Sequence, residues 1–375
     1  MTDLLFKKIE PIINLLKSNI VVQQQILNGM QYIACGYKKE CNNPPAPDAG
    51  WMDFPAGTRV GGKDGHYWFH LQFTTPPAEK NRQVQFHLET TKEGQWDGGN
   101  PQAMVYIDGK LIQGLDINHQ DVLLEFDKTY DLYVYFYVGM IDMMVDVIPS
   151  LQVIDTRIEG LYYDLSVPYD TLKLYGQNDD EYVCILRELH QALLLLDLRD
   201  LHSKAFYDSV IAARAYLDEH FYRGVCGKSN TVVNCIGHTH IDVAWLWTLA
   251  QTEEKAQRSF ATVINLMKQY PEYKFMSSQP QLYQYVKKYA PDVYEQIKQA
   301  VKDGRWEAEG AMWLEADCNL TSGESLVRQI LFGKRFMWEE FGVDNKILWL
   351  PDVFGYSAAL PQILQKSGVN KFVTS

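Results

Sequence analysis

The chain lacks several features that would assign it to a specialised class of protein. It has no apolar run long enough to span a bilayer, and its six cysteines form no Cys-x-x-Cys pair or evident disulfide framework. It has no excess of basic residues, because its net charge is −12 at pH 7. This charge argues against binding to nucleic acid or to an anionic membrane. Its first residues follow no signal-peptide pattern. We therefore expect a cytoplasmic protein with reduced thiols.

The chain has enough apolar sequence to build sizeable cores. Hydrophobic residues make up 46% and charged residues 22% of the chain, a composition typical of globular proteins. The length of 375 residues indicates two or three domains. A helical segment and linker are predicted for 1–50. Short strand-like segments separated by turns predict a β-sandwich for 51–176, and helical spacing over 177–228 predicts a helical connector.

Strand-like and helical segments alternate over 229–375. The predicted strands are 231–237, 273–278, 305–313, 346–350 and 371–374, and the helices between them are 247–269, 280–302, 323–341 and 358–367. This alternation predicts a parallel sheet with helical crossovers. The predicted fold class is thus multidomain: an N-terminal β-sandwich with flanking helices, followed by the first half of an α/β barrel that the end of the chain truncates.

Polar side chains stand where the predicted parallel strands end, and parallel α/β barrels carry their chemistry at those ends. The first end carries His238, His240 and Asp242, which alternation along a strand places on one face. Two imidazoles and a carboxylate suit a divalent metal, above all zinc. His238 is either a ligand or a supporting group, since one strand rarely supplies three ligands to one ion. The alternative is a set of polar side chains satisfied by neighbouring backbone groups.

Residues near the strand ends have two interpretations each. Asp352, after the fourth strand, is either a functional carboxylate or a turn or helix-capping residue. Glu315 and Asp317, after the third, either bind substrate hydroxyls or are solvated loop carboxylates. Trp245, after the first, either packs in the core or forms an apolar wall for a sugar face.

Four segments carry distinctive motifs: HTHIDVAWLW at 238–247, GRWE at 304–307, MWLEADCNL at 312–320 and WLPDVFGY at 349–356. In this order they resemble glycoside hydrolase family 38, the class II, zinc-dependent, retaining α-mannosidases. Golgi and lysosomal members have Asp-Pro-Gly-Trp where this chain has Asp-Val-Ala-Trp at 242–245. That departure favours the cytosolic/vacuolar and bacterial branch.

The resemblance implies a (β/α)7-type barrel and hydrolysis of terminal α-mannosides of oligosaccharides through a glycosyl-enzyme intermediate. It implies one zinc ion per active site, with His240 and Asp242 as ligands and Asp352 as a nucleophile that also touches the metal. It implies that Trp245 and Phe354 surround the mannose ring. The family's general acid and last zinc ligand, a His, are expected beyond residue 375. We therefore expect this chain alone to bind zinc weakly and to be inactive.

Two other functions stay open. An amidohydrolase-like metal hydrolase also places His-x-His after its first barrel strand, but it needs further histidines, and none follows His240. A non-catalytic carbohydrate-binding module would use tryptophans of the β-rich half, such as Trp51, Trp68 and Trp96, although burial in the sandwich core is the more frequent fate of such residues. The sequence does not decide whether the chain forms a homo-oligomer.

Overall fold

Two antiparallel sheets form most of the first half of the protein. The computed structural model describes residues 2–40, 43–92, 100–228 and 230–375. The strands of the two sheets are Val21–Ile26 (β1), Gln31–Cys35 (β2), Met52–Asp53 (β3), Arg59–Gly61 (β4), His66–Thr74 (β5), Arg82–Lys92 (β6), Gln102–Ile107 (β7), Lys110–Asp116 (β8), Asp121–Leu124 (β9), Thr129–Tyr137 (β10) and Met144–Asp155 (β11).

The two sheets share one apolar core. One sheet has the order β1-β11-β6-β9, with β4 also paired to β11, and the other has the order β3-β2-β5-β10-β7-β8. Phe69 and Val134 of the second sheet are buried in the same cluster as Phe86 and Val147 of the first. Alternating side chains of each strand therefore point into the space between the sheets, as in a sandwich. The antiparallel, strand-rich region predicted from the sequence is confirmed.

The first fifty residues contain more strand than the sequence predicts. The helix ends at Ser18, and β1 and β2 then pair with β11 and β5 of the two sheets. The strand β1 has the sequence VVQQQI, in which three consecutive glutamines hide the period-2 pattern of a half-buried strand. Its side chains are mostly exposed, so backbone pairing with β11, rather than an apolar face, makes it a strand.

Helices near the sandwich form a group with its own core. They are Thr2–Ser18 (α1), Thr156–Leu172 (α2), Asp180–Leu194 (α3) and Lys204–Tyr216 (α4), and a π-helical stretch covers Leu217–Val225. Leu161, Leu189 and Val210 pack together in this core. The helix α2 begins inside the range predicted as sandwich, because the carboxylate of Asp155 caps its first turn by accepting hydrogen bonds from two backbone N–H groups.

Strands and helices alternate in the remainder of the chain. They are Gly237–His238 (β12), Leu249–Gln269 (α5), Phe275–Ser277 (β13), Pro280–Tyr289 (α6), Pro291–Lys302 (α7), Trp306–Ala308 (β14), Gly323–Phe341 (α8), Ile347–Leu350 (β15), Leu360–Lys366 (α9) and Lys371–Thr374 (β16). The strands β12-β13-β14 form one parallel sheet and β15-β16 another, and a parallel bridge joins Gly310 to Leu348. The predicted alternation and parallel pairing are confirmed. No helix of the described residues combines the length and the apolar character that a bilayer-spanning segment requires.

Two of the predicted elements in this region are different in the structure. The apolar run 231–236 is not a buried strand: Val232 and Val233 are 81% and 76% exposed, and β12 pairs with β13 only through Gly237 and His238. An apolar segment forms a strand only where the backbone of a neighbouring strand can pair with it. The predicted helix 280–302 is two helices, because Pro291 has no N–H to continue the first and begins the second.

The sandwich holds the α/β region through helix α5. The backbone N–H of Gly114 in β8 donates to Oγ1 of Thr262 at 3.0 Å. A Cβ at Gly114 would lie 1.8 Å from the side chain of Arg258, so only glycine permits this approach. The helix α5 starts just after the segment that carries His240 and Asp242, and this contact therefore restrains the segment that carries the two side chains.

Candidate metal centre

Three side chains from two segments that are distant in sequence have their ligand atoms close together. Atoms of His240, Asp242 and Asp352 all lie within 4.8 Å of one another. The Nε2 of His240 is 3.2 Å from Oδ1 of Asp242 and 3.6 Å from Oδ2 of Asp352. Neighbouring ligand atoms of a tetrahedral zinc ion lie about 3.3 Å apart when each bond to the metal is about 2.0–2.1 Å. The donor set of this triad and the two spacings measured from His240 therefore fit one zinc ion.

The other nitrogen of His240 faces a buried carboxylate. Its Nδ1 lies 2.6 Å from Oε2 of Glu315, whose side chain is only 4% exposed. This hydrogen bond raises the pKa of His240 from its ordinary value of 6.5 to about 9, against the opposing effect of partial burial. A metal ion that binds Nε2 must therefore displace a proton from the ring.

His238 does not belong to the triad, although the sequence places it on the same strand. The strand β12 ends at His238, so strict alternation does not extend to the two ligand-type residues that follow. The Nδ1–H of His238 donates to the carbonyl of Met276 at 3.0 Å, and its Nε2 accepts from Nε1 of Trp349 at 3.2 Å. Both ring nitrogens are used, and the ring links β13 to β15. Of the two interpretations left open by the sequence, this geometry favours a supporting group.

The same substitution at the two histidines should separate these roles. We expect His240→Asn to weaken zinc binding at least about 100-fold, because it removes a ligand. His238→Asn should weaken it by a clearly smaller factor, because the His238 ring contacts Met276 and Trp349 and none of the three ligand-type side chains. Competition with a chromophoric chelator measures both dissociation constants. Equal losses in the two variants would instead make His238 a ligand.

The two carboxylates predicted to bind substrate lie in different environments. Glu315 is buried and hydrogen-bonded to His240, as described above. Asp317 forms a turn in which its Oδ1 accepts from the backbone N–H groups of Asn319 at 2.9 Å and Leu320 at 2.7 Å. Neither is a member of the triad. A role for Asp317 in binding sugar hydroxyls stays a prediction.

The two aromatic residues predicted to surround a sugar are exposed. The side chain of Trp245 is 60% exposed and that of Phe354 is 92% exposed. Trp245 packs edge-to-face against Trp247 with ring centroids 5.5 Å apart, and Nε1 of Trp247 donates to the carbonyl of Asp242 at 3.2 Å. The second tryptophan of the HTHIDVAWLW segment therefore stabilises the backbone at Asp242, while most of the surface of Trp245 and Phe354 is exposed.

Sequence reasoning missed the contacts made by the second strand end. The polar stretch Ser277-Ser278-Gln279 stands at this strand end, and the sequence alone gives it no partner. In the structure, Nε2 of Gln279 donates to the carbonyl of Ile241 at 3.0 Å, and Oε1 of Gln279 accepts from the backbone N–H of Glu315 at 3.3 Å. All three residues of the stretch are buried. The position of this polar stretch at the end of a buried strand is the one signal in the sequence that could have identified it.

The two tryptophans that the structure describes in the β-rich half, Trp51 and Trp68, offer little to a glycan. Trp68 is completely buried and packs against Tyr106 and Tyr135. Trp51 is half-buried, and its Nε1 donates to the carbonyl of Ala46 at 3.0 Å. Trp96 lies outside the residues that the structure describes. Every cysteine among the described residues is a free thiol, and Cys41 lies outside them.

Comparison with known proteins links the triad to one family. Residues 230–375 match the family described as Glycosyl hydrolases family 38 N-terminal domain. Alpha-mannosidase G of Dictyostelium discoideum is 31% identical over 349 residues, which cover 86% of this chain and 31% of that protein. Alpha-mannosidase 2C1 of Homo sapiens is 31% identical over 330 residues, which cover 82% of this chain and 30% of that protein. An alpha-mannosidase of Saccharomyces cerevisiae is 38% identical over 179 residues, which cover 47% and 16%.

The chain thus spans at most 31% of the length of these three relatives. Among solved structures, a beta-glucuronidase of Faecalibacterium prausnitzii aligns with 35% of this chain and 31% of that chain, at 14% identity and a TM-score of 0.22, which supports no conclusion about fold or function. The family match covers the triad and every motif of the α/β region. Residues 230–375 therefore carry the N-terminal domain of glycosyl hydrolases family 38, and most of the chain is similar to α-mannosidases.

Proposed function

We propose that the protein is a retaining α-mannosidase that hydrolyses terminal α-mannosides of oligosaccharides with the help of one zinc ion. The observation that carries this proposal is the triad of His240, Asp242 and Asp352, which has the donor types and spacing for zinc in a domain of glycosyl hydrolase family 38. The proteins named above as α-mannosidases support the choice of sugar.

Asp352 has the environment of a carboxylate nucleophile. Its side chain is 52% exposed, so a substrate can reach it, while one of its oxygens lies 3.6 Å from His240 in the triad. In the proposed reaction, Asp352 attacks the anomeric carbon and the bond to the leaving-group oxygen breaks. A second carboxyl group, about 5–5.5 Å away in retaining enzymes, protonates that oxygen and then activates the water that hydrolyses the ester on Asp352. The bound zinc ion would polarise and orient the sugar hydroxyls.

The parallel strands of the α/β region support a site at their carboxyl ends. We infer that the strands β12 to β16 belong to the (β/α)7-type barrel that the family resemblance implies. Their parallel pairing and the position of the triad after the carboxyl ends of β12 and β15 support a barrel of parallel strands. Trp245 and Phe354 would pack against the apolar face of the mannose ring. We place the activity in the cytoplasm, where free thiols like those of the described cysteines persist.

Hydrolysis of an aryl α-mannoside by the protein at its full natural length tests this function. We expect activity on the α-mannoside but not on the β-mannoside, release of α-mannose as the first product by NMR, and loss of activity on zinc removal. The substitution Asp352→Asn should lower kcat at least about 1,000-fold, because it removes the nucleophile. As a matched control, Asp292→Asn changes an exposed aspartate in the first turn of α7 and should leave kcat unchanged.

The metal content separates this function from that of an amidohydrolase-like metal hydrolase. Within the described ranges, no second group of three His, Cys, Asp or Glu side chains comes within ligand distance. One zinc ion per chain, together with retention of anomeric configuration, would support the mannosidase. A bridged pair of metal ions, or undiminished α-mannoside hydrolysis by Asp352→Asn, would contradict it.

A further inference from the structure

We propose that Glu315 is a positioning residue, which holds the ring of His240 so that Nε2 is the nitrogen offered to the metal. This inference rests on the proposed zinc-dependent function and replaces direct substrate binding as the role of Glu315. Its basis is a chain of partly buried hydrogen bonds that starts at the ring and ends on two neighbouring elements of the fold.

The first link selects the tautomer of His240. An ionised carboxylate only accepts hydrogen bonds, so the 2.6 Å contact between Oε2 of Glu315 and Nδ1 requires a hydrogen on Nδ1. In the neutral ring, the lone pair is then on Nε2, the nitrogen that lies 3.2 Å from Asp242 and 3.6 Å from Asp352. A carboxylate behind a metal-binding histidine fixes ring orientation and makes the ligand more basic.

The second link holds Glu315 itself. Its other oxygen, Oε1, accepts from Oγ of Ser278 at 2.5 Å, and its backbone N–H donates to Oε1 of Gln279 at 3.3 Å. Both carboxylate oxygens therefore have partners inside the protein, and the side chain is only 4% exposed. A sugar hydroxyl would have to break one of these bonds to reach Glu315. The same Gln279 also donates to the carbonyl of Ile241, between the two ligand-type residues of the first strand end.

The third link fixes the segment that carries Glu315. The backbone N–H groups of Trp313 and Leu314 donate to the carbonyl and to Oε1 of Gln329 in α8, at 2.9 and 2.8 Å. Helix α8 comes this close because of Gly333, where a Cβ would lie 2.4 Å from the carbonyl oxygen of Ala311. Glu315 is thus attached to the helix on one side and to the second strand end on the other, which is the rigid support that a ligand-orienting group needs.

The experiment measures zinc affinity in Glu315→Gln by chelator competition. We expect the dissociation constant to rise about 10–100-fold, because an amide can accept from Nδ1–H or donate to Nδ1 and no longer selects one tautomer. Ser278→Ala should change it in the same direction by a smaller factor. The matched control is Glu324→Gln, which makes the same chemical change at a side chain that is 69% exposed at the start of α8 and should leave the affinity within about twofold.

A spectroscopic measurement separates orientation from a general effect on the fold. In the zinc-loaded wild type, long-range 1H–15N spectra should show the His240 ring protonated at Nδ1 and metal-bound at Nε2. In Glu315→Gln we expect weakened or exchanging signals for this ring, with those of His238 unchanged. Wild-type affinity and an unchanged His240 ring in Glu315→Gln would overturn the positioning role alone. If Glu315→Gln does not fold, unchanged affinity in Ser278→Ala overturns it; absence of zinc binding by the wild type would overturn the proposed function as well.

Discussion

Replacement of Asp242 by alanine is expected to remove bound zinc from the protein. Asp242 supplies one of the two carboxylates of the triad, and its Oδ1 lies 3.2 Å from Nε2 of His240. Without it, only one imidazole and one carboxylate of the triad remain to hold the ion. Because loss of a group that only supports a ligand costs about 10–100-fold in affinity, loss of this ligand should raise the dissociation constant at least about 100-fold. Zinc content after dialysis and chelator competition measure the change.

The fold should survive this substitution, because the Asp242 side chain is about one-third exposed and lies outside the apolar core. Thermal unfolding of the zinc-free wild type and of Asp242→Ala should therefore coincide. The control Asp292→Ala alters an exposed aspartate of α7 and should retain full zinc content. Stoichiometric zinc in Asp242→Ala would contradict the assignment of Asp242 as a ligand and, with it, the zinc site described above.

A large loss of stability is expected when Trp306 is replaced by alanine. Trp306 lies in β14 and is 2% exposed; its ring centroid is 4.7 Å from that of Phe275 and 5.1 Å from that of Phe260. Its Nε1 donates to the hydroxyl of Tyr283 at 2.7 Å, and that hydroxyl donates in turn to the carbonyl of Ser277. Removal of a buried tryptophan leaves a cavity and typically costs about 3–5 kcal/mol. We expect a loss of that size in the free energy of unfolding of the α/β region.

Multidomain proteins unfold in more than one step, so the measurement must report on one region. Hydrogen exchange in urea, followed at the backbone amides of β13 and β14, gives the free energy for that sheet. The matched control is Trp338→Ala on α8, where the side chain is 62% exposed and the expected change is about 0.5 kcal/mol or less. Similar losses at the two tryptophans would show that Trp306 does not form the centre of this core.

The helices show where local sequence is sufficient for prediction. The sequence predicts α8 at 323–341, and the structure has it at Gly323–Phe341. Both of its ends have local causes, since Oγ of Ser322 caps the first turn and Gly342 ends the helix with φ +72°. The strand predicted at 231–236 fails because a strand depends on partner backbone that is distant in sequence. A helix satisfies its hydrogen bonds within itself, whereas a strand cannot.

The candidate site shows the same division between local and distant information. The residue types of His238, His240 and Asp242, together with their position after a predicted strand, are enough to indicate a metal site. Asp352 is linked to that site only by the family resemblance. The environment of Glu315 is not visible in the sequence, where a solvated carboxylate and a buried partner of His240, 75 positions away, look the same. The role of His238 is equally hidden, because it depends on Trp349 and on a carbonyl of β13.

The amino-acid sequence alone determined the alternation of helices and strands in the second half of the chain, the ligand-type side chains and the family to which they point. Only the tertiary structure decided that Asp352 joins His240 and Asp242 and that His238 turns away from them. It also decided that the Glu315 side chain is buried and hydrogen-bonded to Nδ1 of His240. The physical reason is the separation along the sequence over which each effect acts. Periodicity, helix caps and residue chemistry depend on a few neighbouring positions. Metal coordination and buried hydrogen bonds depend on which distant segments the packed core brings within about 3 Å of each other.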